Sequence, residues 1–251
     1  MEASKMDLGT PIAEGNTAKI YVHDQKIIKL FDDRFLMDEA IREANKQKLV
    51  HSYGLPVPNV FEVTEIGGRA AIVMEYIAGP TLGELAFNDP NRMEDILKQS
   101  IGVQRKIHEI TPIGLEPMKE KLARQINSVQ DIDRNHRMYL LDMLESMPYE
   151  SKLCHGDFHL YNLIKSDKGL TIIDWVDCSA GDIRADVYRT YLLYSGVSIE
   201  IAELYLNLFC EQSGLTQSEI FEWAPLIAAA KLSENVRSEN RERLLEIVYS
   251  K

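Results

Sequence analysis

From Leu8 to Tyr76 short runs of apolar residues alternate with polar ones, the two-residue period of half-buried strands. The runs predict strands at Leu8–Ala13, Ala18–His23, Lys26–Phe31, Val60–Ile66 and Ala70–Tyr76, with His23-Asp24-Gln25 as a short hairpin connection. Between the third and fourth strands, Phe35–His51 carries Leu36, Ala40, Ile41, Ala44 and Leu49 at helical spacing, and Gly54 with Pro56-Val57-Pro58 stops that helix. Beyond Tyr76 the pattern changes. Ala78-Gly79-Pro80 breaks the chain, and the period becomes helical over Arg92–Glu109, Met118–Ile132, Arg134–Ser146, Ala185–Tyr194, Glu200–Ser213, Gln217–Ala230 and Leu232–Tyr249. Inside this helical stretch a small hairpin is expected, with strands Asn162–Lys165 and Leu170–Ile173 turned at Asp167-Lys168-Gly169. The fold class is therefore α+β, bilobal, with a small β-rich lobe containing one helix over residues 1–77 and a larger, mainly helical lobe over 78–251.

Composition narrows this picture only a little. The chain has 251 residues, 45% hydrophobic and 27% charged, as an ordered globular protein does, and the length suits two lobes sharing an interface better than two independent domains. No window of eighteen apolar residues occurs, and Met1-Glu2-Ala3-Ser4-Lys5-Met6-Asp7 lacks the apolar stretch of a secretory signal, so the expected location is the cytoplasm, away from membranes. Cys154, Cys178 and Cys210 are an odd number at no metal-ligand spacing, which favours reduced thiols over a disulfide framework. A formal net charge of −11 disfavours nucleic acid as a partner and suits a cationic small molecule.

The chemistry is concentrated in His155-Gly156-Asp157-Phe158-His159-Leu160-Tyr161-Asn162 and in Ile172-Ile173-Asp174-Trp175. A phosphoryl group moves with little covalent help, so an enzyme that transfers it must orient an acceptor hydroxyl and hold Mg²⁺ against a triphosphate. Asp157 suits the first task. The amide oxygen of Asn162 and the carboxylate of Asp174 suit the second. His155 and His159 flank the aspartate, but zinc would need further His or Cys ligands at fixed offsets and none is near. His155 is expected to hydrogen-bond within its own loop, and His159 to lie where it can touch the transferred phosphate.

These two segments resemble the catalytic loop and metal-binding segment of the aminoglycoside phosphotransferase and choline kinase family, the small-molecule branch of the protein-kinase-like fold. The resemblance implies a kinase that moves the γ-phosphate of ATP to a hydroxyl of a small molecule, with an aminoglycoside-like or other cationic acceptor in view. It implies that Asp157 accepts or orients the hydroxyl proton and that Asn162 and Asp174 bind Mg²⁺. Lys29, on a strand, resembles the lysine that positions the α- and β-phosphates, with Glu43 as its helical partner; Glu39, one turn earlier, is an alternative partner. Lys26 lies beside the hairpin connection and is expected to face solvent. The phosphate-covering loop falls at Gly15, Asn16 and Thr17, with Gly15 free to take a positive φ. Glu75 and Ile77 are backbone positions at the hinge that reads the nucleotide base, which admits either purine, so GTP stays open beside ATP. Acidic groups of the second lobe bind the acceptor in this family, and Asp177, Glu234 and Glu239 are the candidates here by position. Asp182 is expected to cap a helix and Asp186 to brace the loop near His155.

Two other readings compete. A catalytically silent kinase-like binding protein should lack one of the reactive groups, and all are present. A protein Ser/Thr kinase needs an activation segment of some tens of residues after the metal-binding aspartate, whereas Asp186 is reached twelve residues after Asp174.

Overall fold

The structure is a computed structural model that describes residues 8–15, 17–234 and 240–250. It divides into two compact units, one formed by residues 1–85 and 161–176 and the other by 86–160 and 177–251.

The first unit is built on five antiparallel strands, β1 (Ala13–Glu14), β2 (Ala18–His23), β3 (Lys26–Phe31), β4 (Val60–Ile66) and β5 (Arg69–Glu75), in the order β1-β2-β3-β5-β4. Helix α1 (Met37–Ser52) joins β3 to β4. Alternation sorts the strands into two apolar faces. Phe31, Ile72 and Met74 pack with Ala40 and Ala44 of α1, while Ile28, Leu30 and Val73 form the opposite cluster. The first strand is far shorter than its predicted Leu8–Ala13, because Pro11 can donate no ladder hydrogen bond and Gly9 turns the chain at φ +67°. Helix α2 (Leu82–Asn88) follows β5 and was not expected. Its start is capped reciprocally, Thr81 Oγ1 accepting from Glu84 N at 3.1 Å and the Glu84 carboxylate from Thr81 N at 2.7 Å.

The second unit contains α3 (Met93–His108), α4 (Met118–Ser128), α5 (Arg134–Ser146) and a two-stranded ribbon of β6 (Lys152–Cys154). The chain then returns to the first unit for the hairpin β7 (Leu163–Ser166) and β8 (Gly169–Ile172), set a residue from its predicted bounds. Strand β9 (Ser179–Gly181) pairs antiparallel with β6 and leads into α6 (Ile183–Ser195), α7 (Ile199–Ser213), α8 (Gln217–Phe221), α9 (Ala224–Ser233) and α10 (Arg241–Val248). Helix α6 is buried nearly all round, from Ala185 to Leu192, and is the centre of this unit.

Three helix predictions change. Helix α4 stops at Ser128, not Ile132, because Arg137 of α5 takes the carbonyls of Val129 and Ile132. The single helix expected over Gln217–Ala230 is two, since Pro225 cannot continue α8 but fits the first turn of α9. The helix expected over Leu232–Tyr249 appears as the end of α9 and as α10, with 235–239 outside the described residues. The three cysteines are thiols, with no disulfide among them. Among the described residues no helix is long and apolar enough to cross a membrane.

Candidate active site

In the first unit, Lys29 of β3 and Glu43 of α1 meet through the face that the sheet turns to the helix. Lys29 Nζ donates to Glu43 Oε1 at 2.5 Å, both side chains being nearly buried. Glu39, the alternative partner, is spent on the start of α1, where its carboxylate accepts from Leu36 N at 2.9 Å. Lys29 Nζ also lies 3.7 Å from Asp174 Oδ1. Burial pulls the lysine's pKa down, but Asp174 and Glu43 outweigh it and leave the ammonium raised above its ordinary value.

Asp174 follows β8 in a backbone conformation that an L-residue rarely takes, φ +63°. Several contacts hold it there: Ile173 N donates to Asn162 O at 3.0 Å, Ile172 N to Pro56 O at 2.8 Å, and Lys46 Nζ to Val176 O at 2.7 Å. Buried Trp175 donates its Nε1 to Ile172 O. The Oδ1 of Asp174 is buried without a hydrogen bond, while the side chain as a whole is 39% exposed. A strained backbone aiming an unsatisfied carboxylate oxygen past a lysine is what a cation bound to phosphate oxygens would complete. Asn162, the other expected ligand, is buried at the end of the 3-10 turn just before β7. The hairpin of β7 and β8 is fastened to the segment before α2. Lys165 N donates to Pro80 O at 2.8 Å, and Gly79, at φ +144°, comes so close to the Lys165 carbonyl that a Cβ would sit 2.0 Å from it.

The loop between β1 and β2 closes through Gly15 N donating to Ala18 O at 2.9 Å. Gly15 does not use the positive φ open to it, because the hairpin closes without it. Thr17 is half-buried and its carbonyl accepts from Asp32 N; Asn16 lies outside the described residues. Glu75 ends β5, its N bonded to Asn59 O and its carboxylate accepting from Asn59 N, and Ile77 follows in irregular chain.

The second unit carries Asp157. Gly156 makes the turn before it at φ +80°, packed so tightly that a Cβ would lie 2.5 Å from Asp177 O. Its N–H donates to Asp186 Oδ1 at 2.7 Å, and Asp186 Oδ2 pairs with His108 Nε2 at 2.9 Å, so Asp186 braces the loop as expected. Gln104 joins this buried network and accepts from Tyr205 Oη at 2.6 Å. Asp182 caps α6 by accepting from Arg184 N at 2.7 Å. Buried His155 accepts from Asp157 N at 3.3 Å and sits edge-on to Phe158, a bond within the loop as anticipated.

Asp157 itself has His159 Nε2 3.5 Å from Oδ2 and Arg189 Nη2 3.9 Å from Oδ1. Burial opposes its ionisation, but His159, Arg189 and His155 together hold the carboxyl well below the usual carboxylate range. Next to it a small cavity of about 40 Å³, partly open to solvent, is lined by Lys121, Gly156, Asp177, Arg189 and Glu234 among others. Asp177 and Glu234 therefore share one cavity, but each is bound to a cation: Lys121 Nζ lies 2.8 Å from Asp177 Oδ1, and Glu234 takes Arg189 at 2.7 Å and Lys231 at 2.7 Å. Glu239 lies outside the described residues. Lys121 and Arg189 were missed from sequence. Arg189 stands three residues after Asp186 on α6, on the same helical face, and that spacing was its one available signal.

A β-sheet with one helix, a lysine–glutamate pair across them, and an HGD loop braced from a buried helix define a kinase-like phosphotransferase architecture. The phosphotransferase enzyme family matches residues 9–226, and the chain belongs to it. Among solved structures it is similar to a thermostable mutant of aminoglycoside phosphotransferase APH(4)-Ia, at 15% identity and a TM-score of 0.71, over 95% of this chain and 93% of the other. The same enzyme in a ternary complex with ADP and hygromycin B gives a TM-score of 0.70 at 15% identity, over 95% and 92% of the two chains. Choline kinase LicA from Streptococcus pneumoniae gives 0.62 at 18% identity, over 94% and 91%. At these identities the likeness establishes the fold. No functionally curated protein matches the sequence.

Proposed function

We propose that the protein is an ATP- and Mg²⁺-dependent kinase that phosphorylates a hydroxyl of a small molecule. The observation that carries this is the trio of Lys29, Glu43 and Asp174, a charged cluster in which the lysine–glutamate pair is nearly buried and the Oδ1 of half-exposed Asp174 has no hydrogen bond. Lys29, oriented by Glu43, holds phosphate oxygens, and Asp174 and Asn162 would hold Mg²⁺, which would neutralise charge on the triphosphate. The loop at Gly15, Asn16 and Thr17 covers the phosphates, and the backbone at Glu75 and Ile77 reads the base.

Asp157 accepts a hydrogen bond from the acceptor hydroxyl and so aims its oxygen. That oxygen bonds to the γ-phosphorus as the bond to the bridging oxygen of the departing ADP breaks, and the hydroxyl proton leaves through Asp157 to solvent. Structural relatives crystallised with ADP and hygromycin B, or with streptomycin and ATP, support a nucleotide and a small-molecule acceptor. Within the twelve residues after Asp174 the chain has already formed β9 and begun α6, too short a stretch for the activation segment of a protein kinase.

The test is acceptor-stimulated ADP release across sugars, hydroxy acids, amino alcohols, choline and aminoglycosides. Asp157→Ala should lower kcat about 10²- to 10⁴-fold while Mg-nucleotide binding persists. Absence of turnover together with absence of Mg-nucleotide binding would refute the proposal.

A further inference from the structure

We infer that the acceptor is recognised through its oxygens by cationic donors and carries no ammonium group: it is a polyol or a hydroxy acid. This rests on the phosphotransferase reading and narrows its acceptor.

The carboxylates lining the cavity beside Asp157 each already hold a donor. Both oxygens of Glu234 are taken, Oε1 by Arg189 Nη1 and Oε2 by Lys231 Nζ, each at 2.7 Å. Asp177 Oδ1 accepts from Lys121 Nζ at 2.8 Å. Asp186, also in the lining, is engaged by Gly156 and His108. An entering ammonium would have to compete for these oxygens with cations that are covalently part of the site.

Donors, by contrast, are in surplus. Arg189 lines the cavity with its side chain 8% exposed, and its Nε carries no hydrogen bond. A buried guanidinium N–H without a partner costs free energy that an oxygen acceptor would recover. Lys121 Nζ donates to Asp177 O and Oδ1, which uses two of its three N–H groups. The lining carries no large excess of acid: Lys121 and Arg189 face Asp177, Asp186 and Glu234, a net charge of −1. A site for a polycation needs a clear excess of carboxylates, and the whole-chain charge of −11 is not concentrated here. A hydroxyl or carboxylate placed beside the phosphorylated hydroxyl would accept from the third Lys121 N–H without displacing any ion pair, and from Arg189 Nε once that buried N–H is uncovered.

The experiment compares two sets of probes on the Mg-nucleotide-loaded protein by thermal shift and ADP release. One set has oxygens only (ribose, ribitol, glycerate) and the other carries ammonium groups (ethanolamine, choline, hygromycin B). Binding and turnover are expected in the first set. Glycerate preferred over ribitol identifies a hydroxy acid, and the reverse a polyol. Lys121→Met should raise the acceptor KM about ten- to hundredfold, the loss of one hydrogen bond from a charged donor, with nucleotide KM unchanged and Lys121→Arg restoring most of it. Lys121→Met/Asp177→Asn removes both partners and serves where the single variant does not fold. Turnover of the ammonium set alone, or an acceptor KM indifferent to Lys121→Met, overturns the inference. Silence in both sets while Mg-ATP still binds overturns it alone; loss of Mg-ATP binding removes the phosphotransferase reading with it.

Discussion

Glu43→Gln tests whether the buried pair with Lys29 is an energetic unit. Across 2.5 Å, at an effective dielectric near ~20, the Coulomb attraction of Lys29 for Glu43 is about 7 kcal/mol, and across 3.7 Å its attraction for Asp174 is about 4 kcal/mol, both before desolvation is counted. Gln keeps the shape of Glu43 and one acceptor, so the substitution removes charge and little else. Severing a buried pair costs about 3–5 kcal/mol when nothing replaces the partner; Asp174 remains, and the expected loss is about 2 kcal/mol. Lys29→Met leaves Glu43 buried and uncompensated and should cost about 3–5 kcal/mol. The double variant should cost less than the sum by about 2 kcal/mol, a coupling that chemical denaturation of the four proteins measures. Single losses that add to within about 0.5 kcal/mol would refute the reasoning. The pH dependence has a fixed sign. The folded pKa of Lys29 is raised, so its contribution is fully present below the unfolded value of about 10.4 and is lost only as pH rises through the folded one. The gap between wild type and Glu43→Gln should therefore be flat through neutral pH and close in alkali.

Three further outcomes are expected. Gly156→Ala puts a side chain on a φ of +80° and 2.5 Å from Asp177 O; it should cost about 2–4 kcal/mol and depress kcat through the neighbouring Asp157, and unchanged melting and turnover would contradict the tight turn. Asp186→Asn should lose about 2–4 kcal/mol at neutral pH. Although burial works against ionisation of Asp186, His108 and Gly156 N–H hold its carboxyl below the ordinary range, so its stabilisation is present above about pH 4 and lost as pH falls through the folded value; a variant whose acid denaturation matches wild type would count against this. Gly79→Ala, with its Cβ 2.0 Å from Lys165 O, should dislodge the β7–β8 hairpin and weaken Mg-nucleotide binding, measured by calorimetry, and an unaltered Kd would show that the hairpin does not position Asp174.

How much of this was legible in the sequence depended on whether the deciding interaction was local. Strands β2, β3 and β4 and helix α5 lie on their predicted bounds, since alternation and helical spacing are properties of a few neighbours. Helix α2 was readable too: Thr81-Leu82-Gly83-Glu84 is a capping box, overlooked because its helix is only seven residues long. The β6–β9 ribbon was not readable, because Leu153 and Ala180 are far apart in sequence and each strand has three residues. The early end of α4 likewise depends on a guanidinium from the next helix.

The same divide runs through the candidate site. Asp157, Asn162 and Asp174 stand out because an oxygen-bearing triad at that spacing is rare, whereas the groups that set its electrostatics are invisible to spacing. Lys121 reaches Asp177 across 56 residues of chain. Arg189 links Asp157 to Glu234, and Lys121 holds Asp177, so two of the acids named as acceptor ligands are paired with the cavity's own cations. That pairing also bears on the chemistry proposed for Asp157. A carboxyl held far down its titration range is a weak base and an always-ionised hydrogen-bond acceptor. In a loose transition state the hydroxyl keeps its proton until the bond to phosphorus is well advanced, so an ionised carboxylate that aims the oxygen is worth more than one that deprotonates it early. The cations that lower Asp157 thus favour orientation over abstraction, and they supply the cavity with the donors an oxygen-rich acceptor would use.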